Sequence, residues 1–251
     1  MSGMHPAASV GFARGADAYE RGRPSYPEAA VAWLVDELRL APGTVAVDLA
    51  AGTGKLTRLL AASGARVVAV EPVAGMRVML QRSAPDNVDV VAGVAEAMPL
   101  ADRSVDAVTV AQAFHWFDLD RALPEIHRLL RRHGRLAVLF NSRDLDQPLF
   151  RRVDDLLERY RGDAPKHEFH PNLARLDDSP LFSPVAEREF PNAQRLDLAG
   201  YLDRMSSTSY IAALDADDRR QVEDELRALV AGVPEPIELR YRTTVHLYDR
   251  A

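Results

Sequence analysis

VAVDLAAGTGK, residues 45–55, is the segment from which the fold is inferred. An apolar run leads into a turn of alanine and glycine, and residues 54–63 then have the apolar spacing of a helix. A buried strand, a turn of small residues and a helix are the repeating unit of parallel α/β sheets. The turn follows the carboxyl end of its strand, which is the edge where open α/β sheets bind ligands.

The alternation of strand and helix continues on both sides of this segment. Uninterrupted apolar runs predict strands that are buried on both faces, and helical spacing predicts the segments between them. The predicted strands are 45–49, 66–70, 88–92, 105–111 and 135–140, and the predicted helices are 28–40, 54–63, 73–82 and 119–132. After Phe140 we expect helices at 147–161, 197–205 and 215–231, and strands near 185–190 and at 237–248.

Composition excludes several classes of protein. The 251 residues are 47% hydrophobic, 27% charged and carry a net charge of -6, which argues against binding of long nucleic acids. There is no cysteine, so disulfides, thiolate metal sites and cysteine nucleophiles are excluded. No apolar run of about 18 residues and no signal peptide is visible, so we expect a cytoplasmic protein without a membrane partner, monomeric or homodimeric. We also predict no metal site, since His167 and His170 lack a third ligand.

Three classes of nucleotide-type ligand use a turn of this kind. A P-loop needs a glycine at position 50 and Ser or Thr at 56, where Ala50 and Leu56 stand. A dinucleotide turn needs Gly or Ala at position 57, where Thr57 stands. That second pattern is weakened but stays open, because Glu71 lies 19 positions after Gly52, near the distance expected for an acid that binds a ribose.

The third pattern is a resemblance to class I S-adenosylmethionine-dependent methyltransferases. Their first motif is an acidic residue, an apolar residue and three alternate glycines; Asp48, Gly52 and Gly54 match it, with Ala50 in place of the first glycine. Four further segments resemble motifs of the family: 67–72, 92–100, 104–117 and 128–136, the last with His133 where glycine is usual. Segments 19–27, 111–117 and 209–211 are similar to the type 11 branch that contains trans-aconitate and related small-molecule methyltransferases.

The resemblance implies an architecture and a cofactor. The fold is expected to be α/β, a Rossmann-like sandwich with a mostly parallel central sheet and an inserted cap between the fifth and last strands. Residues 1–27 would form a flap over the cofactor, 28–140 and 232–251 the core that binds S-adenosylmethionine, and 141–231 the substrate cap. Cofactor contacts are expected from Tyr19, Arg23, Asp48, Leu49, Ala50, Ala51, Gly52, Gly54, Glu71, Pro72, Met76, Ala95, Glu96, Ala111 and Gln112.

The acceptor pocket is expected just past the fourth strand. Its predicted lining is Tyr26, His115, Trp116, Phe117 and Tyr210. His115 is placed as a general base or as a residue that orients the substrate, although a His–Trp pair that only shapes the pocket by packing is an equal alternative. Trp116 and Phe117 are expected as walls, with cation–π attraction to a sulfonium as a further role.

The predicted function is transfer of a methyl group from S-adenosylmethionine to a small molecule, at a carboxylate or hydroxyl oxygen. Two other functions stay open at this point. One is an NAD(P)-linked oxidoreductase, which would use the same turn and an acid at the position of Glu71. The other is a methyltransferase-like fold that binds a ligand or partner without turnover, which the substitution at Ala50 favours.

Overall fold

The computed structural model describes residues 22–162 and 170–251. Helices and strands alternate through the first half of the chain, as the apolar runs predict. The strands are β1 (Val45–Leu49), β2 (Arg66–Val70), β3 (Val88–Val91), β4 (Val105–Ala111), β5 (Leu130–Arg143), β6 (Phe182–Leu196) and β7 (Ile237–Arg250). The helices are α1 (Glu28–Glu37), α2 (Lys55–Ala61), α3 (Ala74–Ser83), α4 (Leu119–Leu129), α5 (Pro148–Glu158), α6 (His170–Asp177), α7 (Leu198–Ser206), α8 (Ser209–Ala212) and α9 (Ala216–Leu229).

The seven strands form one sheet in the order β3-β2-β1-β4-β5-β7-β6. Strand β1 is parallel to β2 on one side and to β4 on the other, so that Asp48 lies opposite Ala69 and Thr109. The strand order therefore reverses between β1 and β4. In open α/β sheets, a reversal of this kind leaves a crevice beyond the carboxyl ends of the strands, and ligands bind there.

Alternate residues of the central strands pack on opposite faces of the sheet, as strand geometry requires. On one face Ala46 and Val67 pack with Leu34 of α1 and Leu60 of α2. On the other face, a second buried cluster joins central strand residues to helix α4 and the short helical turn Phe114–Trp116. Both faces of the sheet are therefore covered, which explains why its strands are apolar without alternation.

The chain divides into two compact units. Among the described residues the larger unit contains 25–140, 170–190 and 243–251, and the smaller contains 22–24, 141–162 and 191–242. The smaller unit has a core of its own, in which Phe150, Tyr201 and Tyr241 are fully buried. This division differs from the predicted segment 141–231 because Leu173 and Leu176 pack in a core cluster of the larger unit.

The predicted fold class, α/β with a mostly parallel sheet, is confirmed. Helices α6 and α8 are additional to the predicted elements, and β5 begins at Leu130 rather than at residue 135. Tyr19 and most of segment 1–27 lie outside the described residues. Within residues 22–162 and 170–251, none of the helices has the length and apolar character needed to cross a bilayer.

Candidate functional site

The turn between β1 and α2 has an unusual backbone. Ala50, Gly52 and Gly54 all have positive φ, at 56°, 60° and 88°. Gly54 also lacks room for a side chain, because a Cβ there would lie 2.8 Å from Cγ of Leu80. At Gly52 the nearest atom to such a Cβ would be Sδ of Met76, at 3.8 Å, so this position has space beside it. The turn thus presents bare backbone at the crevice edge of the sheet.

Two residues other than glycine hold strained backbone at this edge. Ala50 follows β1, and Gln112, with φ of 62°, follows the neighbouring strand β4. A left-handed residue with a Cβ costs roughly 1–2 kcal/mol, and such residues cluster at ligand sites. The N–H of Gln112 donates to the carbonyl of Leu139 at 2.9 Å, which fixes its conformation. Strained residues therefore follow both β1 and β4, the two strands between which the strand order reverses.

Asp48 is held by two threonine hydroxyls, and its contact with a cofactor stays a prediction. Its carboxylate accepts hydrogen bonds from Thr57 Oγ1 at 2.6 Å and from Thr109 Oγ1 at 3.0 Å, and the residue is 1% exposed. Burial is the main cause that raises its pKa to about 6, and the charge of Glu71 raises it further. Asp48 therefore joins β1 to α2 and β4 beneath the turn.

Glu71 lies against the turn, and its contact with a cofactor stays a prediction. One carboxylate oxygen accepts the N–H of Gly52 at 2.9 Å, and the other accepts the N–H of Val73 at 2.8 Å. Burial raises the pKa of Glu71, and these two hydrogen bonds oppose the increase. The carboxylate connects the end of β2 to the turn after β1. Each oxygen keeps a second lone pair for a further donor.

The loop after β2 is fixed by a residue that the sequence analysis did not select. Arg77 Nη1 donates to the carbonyls of Glu71 and Pro72, at 2.8 and 2.6 Å. Met76, one of the predicted cofactor residues, is 4% exposed and lies beside Gly52. The structure therefore brings Gly52, Glu71, Pro72 and Met76 together at one corner of the crevice edge.

The other predicted cofactor residues occupy more varied positions. The side chains of Leu49 and Ala95 are in the core cluster that contains Phe114. Glu96 accepts the N–H of Asp118 at 3.0 Å and so holds the start of α4. Ala51 donates its N–H to the carbonyl of Val70 at 3.2 Å, and Ala111 packs on the opposite core cluster. Contact with a cofactor stays a prediction for all of these residues.

The segment after β4 forms an aromatic group. The ring of His115 lies 4.6 Å from that of Trp116, and Phe114 packs edge-on to Phe117 at 5.9 Å. Both ring nitrogens of His115 are buried. Trp116 and Phe117 are half-buried against the core cluster on one face of the sheet, which fits a wall. Neither the base role nor the packing role of His115 is decided by this arrangement.

For Tyr26, Arg23 and Tyr210, contact with a cofactor or an acceptor stays a prediction. Tyr26 packs on the core cluster of the opposite face of the sheet from Trp116 and Phe117. Arg23 and Tyr210 belong to the smaller unit, where Arg23 Nη2 donates to the carbonyl of Ser207 at 3.0 Å. Across the part of the chain that the structure describes, no three His, Asp or Glu side chains are grouped as metal ligands would be.

Thr57 and Thr109 are further residues of the site that sequence reasoning missed. They fix Asp48, and the hydroxyl of Thr57 comes from the first turn of α2. Thr57 could have been noticed in the sequence, because it stands where the dinucleotide pattern requires Gly or Ala. No sequence signal marked Thr109, whose pairing with Asp48 arises from the register of β1 with β4.

Comparison with known proteins agrees with this geometry. A family model described as a methyltransferase domain matches residues 47–138, which contain the turn, Glu71 and the segment after β4. Together with a relative that is 38% identical over 90% of this chain, this match shows that the chain belongs to the class I methyltransferases.

Its relatives match over nearly the whole chain. An uncharacterized methyltransferase of Mycobacterium tuberculosis is 38% identical over 226 residues, which are 90% of this chain and 88% of the relative. An uncharacterized methyltransferase-like protein of Schizosaccharomyces pombe is 35% identical over 231 residues, 90% of both chains. A solved structure from Anaeromyxobacter dehalogenans, described as a type II methyltransferase, has a TM-score of 0.63 at 27% identity and covers 91% of this chain and 97% of that one.

Other similar proteins differ in their acceptors. The UbiE C-methyltransferase of Rubrivivax gelatinosus is 44% identical over 94 residues, 37% of this chain and 38% of that protein. The malonyl-[acyl-carrier protein] O-methyltransferase of Methylococcus capsulatus is 45% identical over 96 residues, 36% of this chain and 35% of that one. The geranyl diphosphate C-methyltransferase of Streptomyces coelicolor, solved with S-adenosyl-L-homocysteine, has a TM-score of 0.54 at 16% identity. The match covers 89% of this chain and 79% of that chain, and it shows a likeness in fold alone.

Proposed function

We propose that the protein transfers the methyl group of S-adenosylmethionine to an oxygen of a small molecule. The observation that carries the cofactor assignment is the carboxylate of Glu71, which lies against the N–H of Gly52 at 2.9 Å across a turn of left-handed residues. A turn of bare backbone beside an acid on the next strand suits a nucleoside, whose ribose hydroxyls donate to the acid.

The residues present fit this cofactor. Gly52 leaves space where a Cβ would stand, and the polarizable sulfur of Met76 lies next to that space. The second lone pairs of the Glu71 oxygens accept the two ribose hydroxyls. Thr57 and Thr109 hold Asp48 so that the turn keeps its shape. These features need no metal ion.

The cofactor supplies an electrophilic methyl group on a sulfonium, and the chain supplies orientation and exclusion of water. Trp116 and Phe117 give an apolar wall at the crevice edge, and a flat ring there favours a cation. His115 takes the proton of an acceptor hydroxyl or orients the acceptor. A carboxylate acceptor, in contrast, needs no base.

The acceptor atom is the finer part of the proposal. Relatives that match about a third of the chain include one named for methylation at carbon and one for methylation at oxygen. Because these two relatives differ in the atom that they methylate, similarity to them does not select the acceptor atom. An oxygen acceptor is proposed because the protein offers a base candidate, His115, while a carboxylate would require none.

Calorimetric titration tests the cofactor assignment. The full-length protein is titrated separately with S-adenosylhomocysteine and with NAD, and we expect binding of the first alone. Glu71→Gln is expected to weaken this binding about tenfold or more, because a charge-assisted acceptor of the ribose hydroxyls is lost. Glu223→Gln, on the exposed face of α9, is the matched control and should bind as the wild type does. Preference for NAD would overturn the proposal in favour of an oxidoreductase.

A further inference from the structure

Strand β5 carries a bulge where it begins to pair with β4. Between its first two pairs with β4, β5 has residues 131–134 where β4 has only Asp106. Two arginines and a histidine are among these four residues. Gly134 lets the bulge lie close to β4, because a Cβ there would be 3.0 Å from the carbonyl oxygen of Asp106. Bulges redirect side chains at sheet edges and beside ligand sites.

A cavity of about 230 Å³ opens beside this bulge, and all the residues that line it belong to the larger unit. The cavity lies at the amino ends of β4 and β5, which is the opposite edge of the sheet from the turn between β1 and α2. Sites for drug-sized ligands measure about 300–1,000 Å³, so this cavity suits a smaller compound. Four arginines contribute to its lining: Arg39, Arg132, Arg135 and Arg250.

The acids that line the cavity are already engaged. Glu37 and Asp249 both pair with Arg135, at 3.0 and 2.7 Å. Asp106 pairs with Arg131 of the bulge at 2.6 Å. Each of these carboxylates therefore has a cation of its own, and the other arginines of the cavity are not neutralised by them.

The other three arginines give the cavity an excess of positive charge. Within residues 22–162 and 170–251, Arg39, Arg132 and Arg250 form no ion pair with a carboxylate. Arg39 and Arg132 are exposed, and Arg250 Nε donates to the carbonyl of His127 at 3.0 Å. This excess is opposite in sign to the net charge of the chain, which is -6. A cleft lined by one sign of charge concentrates ions of the other sign.

We propose that this cavity is a second binding site of the protein and that it takes a small phosphate ester. Guanidinium groups present parallel N–H donors that fit phosphate oxygens, and Arg39 and Arg132 bring such groups from the end of α1 and from β5. His133, which also lines the cavity, adds a ring N–H. A phosphate ester carries about 1.5–2 negative charges at pH 7, which the arginines without acids neutralise.

Titration with phosphate probes tests the site. The protein is titrated in a calorimeter with glycerol 3-phosphate, with inorganic phosphate and with neutral glycerol, all at the same ionic strength. We expect glycerol 3-phosphate to bind and inorganic phosphate to compete with it. At ten times its dissociation constant, glycerol 3-phosphate should raise the melting temperature by about 3–6 °C. Failure of both phosphates to bind, or an equal rise with glycerol or with added sodium chloride, would overturn the proposal.

Variants locate the bound phosphate. Arg39 directly follows the C-cap of α1 with φ of 52°, where glycine is the usual residue, so Arg39→Gly should fold as the wild type does. We expect Arg39→Gly and Arg132→Met each to weaken glycerol 3-phosphate binding about tenfold or more, because charge-assisted hydrogen bonds are lost.

Arg103→Gly is the matched control for Arg39→Gly. Arg103 is also an exposed arginine of the larger unit in left-handed backbone, with φ of 48°, but it is not part of the cavity lining. This variant should bind glycerol 3-phosphate as the wild type does. Undiminished binding in both Arg39→Gly and Arg132→Met would show that the phosphate lies elsewhere and would contradict the proposal.

Crossed titrations distinguish this cavity from the proposed cofactor site. We expect Glu71→Gln to leave binding of glycerol 3-phosphate unchanged and Arg132→Met to leave binding of S-adenosylhomocysteine unchanged. Loss of glycerol 3-phosphate binding in Glu71→Gln would place the phosphate at the cofactor turn and overturn the second site. Failure of the wild type to bind S-adenosylhomocysteine would instead refute the proposed function, and the phosphate titrations would still decide the second site.

Discussion

At the scale of single residues, Ala50 is the clearest departure from the pattern of its family. Its φ of 56° places a Cβ in left-handed backbone, which costs roughly 1–2 kcal/mol. Glycine would remove that cost but would add about 0.4–1 kcal/mol of unfolded-chain entropy to be lost on folding. We therefore expect Ala50→Gly to raise the free energy of unfolding by about 0.5–1 kcal/mol in urea denaturation.

The neighbouring alanine provides the control for this prediction. Ala51 is outside the left-handed region, so Ala51→Gly should lower the free energy of unfolding by about 0.4–1 kcal/mol. A higher free energy of unfolding in Ala50→Gly and a lower one in Ala51→Gly would locate the strain at residue 50. An Ala50→Gly protein no more stable than the wild type would contradict the assignment of strain there.

Asp48 gives a prediction about pH. Its pKa of about 6 in the folded protein exceeds the ordinary value of 3.8, so its contribution to stability is fully present below about pH 4 and is lost as the pH rises to about 6. Asp48→Asn cannot ionise. Relative to the wild type, Asp48→Asn should therefore become more stable by about 2 kcal/mol between pH 4 and pH 6.

Urea denaturation of both proteins at a series of pH values measures this difference. Titrating groups that do not interact with Asp48 affect both proteins equally and cancel in the comparison. A difference that stays constant from pH 4 to pH 7 would mean that Asp48 titrates normally, and its burial between Thr57 and Thr109 would then have no electrostatic consequence.

At the scale of elements, the turn between β1 and α2 should respond differently at its two glycines. Gly54→Ala adds left-handed strain and drives a Cβ to 2.8 Å from the buried Leu80, so we expect a loss of about 2–4 kcal/mol. Gly52→Ala adds the strain alone, about 1–2 kcal/mol, because Met76 lies 3.8 Å away. Thermal and urea unfolding of the two variants side by side check this order. Equal losses would show that the contact with Leu80 is unimportant.

Cofactor affinity is expected to depend on pH because Glu71, which joins the ends of β1 and β2, titrates. The pKa of Glu71 is raised by burial, and its ionised form is the better acceptor for ribose hydroxyls. We expect the affinity for S-adenosylhomocysteine to fall as the pH is lowered through this raised pKa. In Glu71→Gln the affinity should be weaker and independent of pH over the same range. Parallel profiles for the two proteins, measured by calorimetry, would rule out Glu71 as the titrating group.

The elements of the central sheet are predictable from sequence because burial on both faces leaves an unbroken apolar run. Strands β1, β2 and β4 begin and end at the predicted residues. The edge strand β6 is longer than predicted, since Glu187, Arg188 and Glu189 interrupt its apolar pattern, as charges commonly do at sheet edges. Helix α6 was missed because only Leu173 and Leu176 mark its buried side.

The candidate site was only partly predictable from the sequence, because spacing along the chain fixes some of its contacts and tertiary packing fixes the others. Glu71 and Gly52 could be paired from their spacing, because one β-α-β unit fixes the distance between the ends of adjacent strands. The direction of the Asp48 side chain depends on where α2 and β4 place Thr57 and Thr109, which is tertiary information.

At the scale of the whole molecule, the chain divides into two compact units with separate buried cores. The larger unit holds the turn, Glu71 and the aromatic group after β4, and the smaller holds the buried cluster that contains Phe150, Tyr201 and Tyr241. Each unit has its own buried core, so substitutions in one should leave folding of the other intact.

The central claim is that S-adenosylmethionine is held by the turn at the carboxyl ends of β1 and β2. A crystal structure of the protein with S-adenosylhomocysteine tests it most directly. The account predicts the ribose hydroxyls within hydrogen-bond distance of Glu71 and the methionine portion along the turn at residues 50–54. A ligand bound elsewhere, with the Glu71 carboxylate still engaged only by Gly52 and Val73, would contradict the account.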